Sequence, residues 1–177
     1  MTLLDPVLNW IAALALALVL GRGALAKLTG FARFRAAVAT YRILPGPLVP
    51  VFAVVLVAAE VASAGLLLIS PLRLAGALGA VLVLAVVSAG VWINLRRGRH
   101  AIECGCGGPG QTISSGLLWR NLGLALLAVL AAIPSGTRTL GLADAVMVAA
   151  GGLMWAGLFD AADRLIAAHA LLRRSRL

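Results

Sequence analysis

Charge is the first scarcity in this sequence. Only 12% of its 177 residues are Asp, Glu, Lys or Arg, while 62% are hydrophobic. A soluble domain carries about 25% charged residues, and a soluble fold of this length has no interior large enough for so much apolar side chain. Lipid is therefore the expected solvent for much of the chain. The length allows a single membrane domain, 1–177, and leaves no room for a second globular one. Cysteine is scarcer still, limited to Cys104 and Cys106. Two cysteines this close cannot staple distant segments, which excludes a structural disulfide framework. His100 and His169 are the only histidines, so a bis-histidine haem is not expected, and no other cofactor or resident metal is predicted. Aromatic base-stacking patches are missing as well. The formal net charge of +9 consequently does not point to nucleic acid. No fixed-period repeat and no low-complexity linker occurs.

What is present in quantity is apolar runs. A helix needs roughly 20 apolar residues to cross the hydrocarbon core. Candidate spans lie at about 7–28, 48–69, 74–95, 117–133 and 140–159, the last with a polar-ended continuation to 172. Ala and Leu dominate and no alternation appears, so these read as helices, whose backbone groups are satisfied within the segment. The expected fold is all-α: a polytopic transmembrane bundle of four core helices and an additional C-terminal helix over about 140–172. Pro45, Gly46, Pro47 and Pro50 break the chain before the second span, Ser70 and Pro71 before the third, and Pro134, Ser135 and Gly136 before the fifth. The longest connections are 29–47 and 96–116. Ala24, Leu25 and Ala26 look like a signal-peptidase site. The stretch before them holds Asp5, no Lys or Arg, and an apolar run too long for a signal peptide, so a retained first helix is expected.

Basic residues set the expected orientation. Lys27, Arg33, Arg35, Arg42, Arg96, Arg97, Arg99, Arg120, Arg164, Arg173, Arg174 and Arg176 fall on one side of a five-span bundle, and only Arg73 and Arg138 on the other. The positive-inside rule then places the N-terminus outside, and the cysteine loop and C-terminus in the cytoplasm, of a bacterial inner membrane. Trp10, Trp92, Trp119 and Trp155 lie near span ends, as interfacial anchors do. Gly65, Gly76, Gly79 and Gly90 suit close helix packing.

The thiol run is Glu103, Cys104, Gly105, Cys106, Gly107, Gly108. Cα atoms of residues i and i+2 can come within disulfide range, about 4.4–6.8 Å, and Gly105 supplies the backbone freedom so small a ring needs. A strained, exposed disulfide exchanges readily, which suits passing electrons to or from a partner thiol. Arg97 and Arg120 would favour the reactive thiolate. Two other readings stand beside this one. The cysteines are inert in a flexible loop, or they form half of a soft-metal site with His100 and Glu103.

Ionisable groups within spans are costly and usually find partners in the bundle. Glu60, in the second span, and Arg22, in the first, are expected to approach one another, as a proton or polar site beneath the thiol loop or as a structural ion pair. Asn94 and Asn121 flank the cysteine loop and read as helix caps or as groups holding that loop. Asp160 and Asp163 read as a solvated helix end, and His169 as a surface residue.

Taken in order, Lys27-Leu28, Phe34, Tyr41-Arg42-Ile43-Leu44-Pro45, Glu60, Asn94-Leu95-Arg96-Arg97-Gly98, Cys104-Gly105-Cys106-Gly107, Ser114 and Arg120-Asn121 resemble the MauE family, the methylamine-utilisation membrane proteins, within the wider MauE/DoxX group. The resemblance covers about 5–133. It implies a helical membrane bundle associated with thiol redox chemistry. It also implies a role in maturing the disulfide-rich small subunit of methylamine dehydrogenase, beside a thioredoxin-like partner. An aromatic often follows the family's second cysteine closely. Gly107 and Gly108 stand there in this sequence, which implies a looser loop.

The sequence therefore leads to an expected membrane thiol–disulfide redox protein, working through a redox-active Cys104–Cys106 disulfide with Glu60, Asn94, Arg97, Arg120, Asn121 and Arg22 in support. As an enzyme it would be a thiol–disulfide oxidoreductase. Its expected partners are the lipid bilayer, a thioredoxin-like protein and a disulfide-containing client. A soft-metal transporter or carrier and a non-catalytic assembly subunit for a soluble redox enzyme are the rival readings.

Overall fold

The computed structural model describes residues 4–99, 102–105, 112–136 and 138–174, with side chains described as far as 168. Its elements are α1 (Pro6–Thr29), α2 (Phe31–Thr40), α3 (Leu48–Leu67), a 3-10 turn (Ser70–Leu72), α4 (Arg73–Arg96), α5 (Ser115–Ala132) and α6 (Leu142–Arg174). Five of the six helices, all but α2, are long and apolar enough to cross a membrane. At 1.5 Å per residue, the 24 residues of α1 and of α4 reach about 36 Å, more than the roughly 30 Å of a hydrocarbon core. The chain is an all-helical, multi-pass membrane protein.

Local chemistry sets the helix ends. Asp5 caps α1 by accepting from the Val7 N–H at 2.8 Å, and Pro6 occupies the first turn, where no N–H is needed. Pro45, Gly46 and Pro47 lead into α3. Between the spans α1 packs against α3, α5 and α6, while α4 packs against α3 and α5. The contact layer is rich in small residues: Ala12, Ala13, Ala15, Ala77, Ala80 and Ala128 surround the larger Leu16, Leu67 and Leu124. Lipid tails are as apolar as leucine, so association depends on such close approach. A Cβ at Gly76 would lie 2.6 Å from the Leu67 backbone nitrogen, and one at Gly79 would lie 2.5 Å from Ser63 Oγ. Gly90 receives the Tyr41 ring, whereas Gly65 faces open space. Large apolar side chains such as Leu78, Leu82, Leu126 and Leu153 are exposed, as expected of a lipid-facing surface.

One connection differs from expectation. The stretch 29–47, read as a loop, contains α2. Its ten residues are too short to span, and Arg33 and Arg35 interrupt its apolar pattern. Phe34 and Ala37 are nevertheless buried on one face, and Phe34 packs on Ala53, Leu56 and Val57 of α3 and Val83 of α4. A short amphipathic helix of this kind takes its stability from tertiary packing. The chain's N-terminal end, the α3–α4 turn and the α5–α6 connection gather at one end of the bundle. Helix α2, the cysteine loop and the later half of α6 gather at the other.

Candidate functional site

The cysteine loop is built into its end of the bundle. Ile102 and Ile113 approach from its two sides, joined by a 3.0 Å hydrogen bond from the Ile113 N–H to the Ile102 carbonyl, and Glu103 and Thr112 form an antiparallel bridge. Cys104 lies inside this hairpin, only 5% exposed, in a cluster with Val91, Ile102, Ile113 and Leu117. Its carbonyl accepts a 3.2 Å hydrogen bond from Tyr41 Oη. Gly105 has φ +71°, and a Cβ there would come within 3.0 Å of Ala37 Cβ and 3.3 Å of Phe34 Cδ2. Both the left-handed conformation and the seat on α2 therefore require glycine. Cys104 is thus enclosed, where the sequence suggested an exposed pair. Cys106 and His100 lie outside the described residues, and so does the pairing of Cys104 with Cys106.

The turn that carries Tyr41 is itself held. Arg99 Nη1 donates to the Tyr41 carbonyl at 3.3 Å and to Asn94 Oδ1 at 3.1 Å, and Arg97 Nη1 donates to the Arg42 carbonyl at 3.3 Å. Arg42, with φ +49°, is the one described non-glycine residue in the left-handed region, and the two arginines fix the carbonyls on either side of that strained position. Asn94 is fully buried and also donates to the Gly90 carbonyl at 3.1 Å. It therefore serves the loop through Arg99 instead of capping a helix end. Asn121 donates to Ser88 Oγ at 3.0 Å and accepts from Arg120, whose Nη1 pairs with Asp163 at 2.7 Å. Arg120 and Asn121 thereby tie α5 to α4 and α6, and Asp163 is a partner in the bundle instead of a solvated end.

Beneath the loop, the expected Arg22–Glu60 approach does not occur. Lys27 meets Glu60 instead, with Nζ 2.8 Å from each carboxylate oxygen. The two residues are 3% and 5% exposed. Arg22 lies five residues before Lys27, about 140° around the helix, and turns outward to Asp160 at 2.6 Å. Asp160 also holds Arg164 at 2.9 Å. Lys27 Nζ stands 5.7 Å from the centre of the Phe34 ring, which also lies against Gly105. One aromatic side chain therefore separates the buried ion pair from the thiol loop. Lys27 ends a long apolar run among other basic residues, which made it look like a topology signal.

A second polar knot closes the opposite end. Asn9 Nδ2 donates to the carbonyls of Leu130, Ala131 and Ile133 at 2.9–3.1 Å. Its Oδ1 accepts from Arg73 Nη1, and Arg73 Nε donates to the Leu67 carbonyl at 3.2 Å. Arg73 is 6% exposed and stacks 3.8 Å over Trp10. It thus joins the C-terminal ends of α3 and α5, where the helix dipoles favour a cation. Trp10 is bound to this knot. The sequence signal for it was slight: one asparagine and one arginine at the ends of two apolar runs.

Between α2, α3 and α4 lies a cavity of about 280 Å³. Phe34, Tyr41, Phe52, Leu56, Val87 and Ile93 contribute to its wall, and Cys104 is part of that wall. No group of three or more His, Cys, Asp or Glu residues suited to a metal ion occurs among the described residues.

The family model described as methylamine utilisation protein MauE matches residues 5–134. The methylamine utilization protein MauE of Paracoccus denitrificans is 38% identical over 129 residues, which are 72% of this chain and 69% of that protein. The protein of that name from Methylophilus methylotrophus is 33% identical over 166 residues, 92% and 87% of the two chains. The one from Paracoccus versutus is 35% identical over 161 residues, 89% and 87%. No solved structure matches.

Proposed function

The chain belongs to the MauE family, and from that premise we propose that it is a membrane thiol–disulfide redox protein of methylamine utilisation. It passes electrons through Cys104 and Cys106, and so supports disulfide formation or maturation of a partner protein. To form a client disulfide, a client thiolate attacks the Cys104–Cys106 disulfide and the client's second thiolate resolves the mixed disulfide, so that two electrons and two protons pass to the pair. A thiolate of the reduced pair then attacks the disulfide of the thioredoxin-like partner and the other resolves that mixed disulfide, which returns the pair to its oxidised form. Its partners are a thioredoxin-like protein and a disulfide-containing client.

The observation that carries this reading is the seating of Cys104. Its carbonyl is tied to Tyr41, and the next residue is a left-handed glycine pressed on Phe34 and Ala37. A pair of inert cysteines in a flexible loop has no need of such a seat. A thiol that must meet a partner sulfur in line does need one, because positioning is a large part of any such rate.

Charge supports an inner-membrane orientation with the cysteine loop in the cytoplasm. Arg33, Arg35, Arg42, Arg96 and Arg97 are exposed at the loop end, whereas the opposite end exposes Arg138 and buries Arg73. An impermeant maleimide applied to intact cells tests the orientation, and rapid labelling of either cysteine from outside overturns it. The function is tested by replacing Cys106 with Ser, and separately Cys104 with Ser, and isolating the protein under acid quench. One of the two variants is expected to carry a covalently linked partner released by reductant. If neither variant traps a partner, and the client's disulfides form normally without either cysteine, the reading is wrong.

A further inference from the structure

The cavity between α2, α3 and α4 offers a ligand apolar surface and little else. The Tyr41 hydroxyl on its wall already donates to the Cys104 carbonyl at 3.2 Å, and the Gly90 carbonyl already accepts from Asn94 at 3.1 Å. A polar group buried there would give up its hydrogen bonds to water without replacement. Val86 and Ala89 belong to the wall and are exposed on the outer face of α4, so the cavity opens sideways into the hydrocarbon. Its α4 side begins at Val86, and α4 ends at Arg96, about 15 Å further along the helix axis. That is half of the roughly 30 Å hydrocarbon core, the depth of a single leaflet and hence of one acyl chain.

The loop end of this cavity is cationic. Arg42 directly precedes Ile43 of the wall, and Arg97 Nη1 reaches the Arg42 carbonyl at 3.3 Å. Both arginines are exposed. Arg22, Arg120, Arg138 and Arg164 each pair with a carboxylate, but among the described residues neither Arg42 nor Arg97 does. Two guanidinium groups without an acid, at the level of the headgroups, suit a phosphate. We infer that this cavity is a binding site for one anionic glycerophospholipid. One acyl chain fills the space between α3 and α4, and Arg42 and Arg97 hold the phosphate, as basic pockets between membrane helices do. The bound lipid closes the gap between the Tyr41 turn and α4, and so steadies the turn that holds the Cys104 carbonyl. Neither sulfur reacts with it, and the site is independent of the thiol-redox reading.

The test uses the full-length protein purified in detergent and mixed in turn with phosphatidylglycerol and with phosphatidylcholine of the same acyl chains. Native mass spectrometry is expected to show a single phosphatidylglycerol retained in preference to phosphatidylcholine. Arg42→Gln is expected to weaken that retention about tenfold, the loss of one charge-assisted hydrogen bond. Arg33→Gln, on the outer face of α2, is expected to change it by less than about twofold, as a solvated surface charge does. A phosphatidylglycerol with a photoreactive group on its acyl chain is expected to label segments 52–56 and 86–93 of the unaltered protein, which keeps the test open should a variant fail to fold. Equal retention of phosphatidylcholine overturns the inference, because the cavity then takes any acyl chain. An equal loss from Arg33→Gln overturns it too, because the basic surface then holds any anion. So does labelling spread evenly over the exposed faces of all the spans. A dimer peak without lipid also overturns it, because a second copy of the chain then covers the cavity.

Discussion

Lys27 Nζ sits 2.8 Å from both carboxylate oxygens of Glu60, and both side chains are almost wholly withdrawn from the surface. Removing one partner leaves a charge uncompensated in an apolar bundle, which costs about 3–5 kcal/mol in buried pairs, whereas replacing both by apolar groups is often neutral. Lys27→Met and Glu60→Leu are therefore each expected to destabilise the protein by about that amount. The double variant is expected to regain most of the loss. Unfolding of the purified protein by graded denaturing detergent measures all three. Additive losses in the double variant would show that the two residues do not act as a pair.

Asn9 anchors the other end with three donated hydrogen bonds and one accepted from Arg73. Asn9→Ala leaves the Arg73 guanidinium short of an acceptor and frees three carbonyls at the end of α5. A loss of about 2–3 kcal/mol is expected, typical of buried polar groups stripped of partners. The same unfolding assay reads it. A change below about 0.5 kcal/mol, the range of ordinary surface substitutions, would contradict the assigned role.

Tyr41 Oη and the Cys104 carbonyl are joined at 3.2 Å. Tyr41→Phe keeps the ring against Gly90 and deletes the hydrogen bond to the Cys104 carbonyl, worth about 1 kcal/mol. The loop is then expected to open about fivefold more often, and maleimide labelling of Cys104 in a Cys106→Ser background should quicken to the same extent. An unchanged labelling rate would mean that the hydroxyl does not hold the loop.

The spans were legible because their signal is long and redundant: some 20 apolar residues each, separated by Pro, Gly and Ser. The thiol loop was legible because two cysteines one residue apart stand out in a cysteine-poor chain. Helix α2 was hidden by its brevity and its arginines, since the pull that forms it comes from α3 and α4 and not from its own residues. The partner of Glu60 was hidden for a related reason. Arg22 and Lys27 are near in sequence but face different sides of α1, and only packing decides which side meets α3. Asn94 and Asn121 were marked for their place beside the loop, but their bonds run to Arg99, Ser88 and Arg120, and of these only Arg120 stands beside its partner in the sequence.

The whole account stands on reversible chemistry at Cys104 and Cys106, and equilibration of the purified protein in graded thiol–disulfide buffers, followed by thiol alkylation and intact mass, tests it most directly. The expected result is one sharp two-electron transition in which both cysteines lose and regain alkylation together. Full alkylation of both cysteines at every buffer ratio, including the most oxidising, would contradict it.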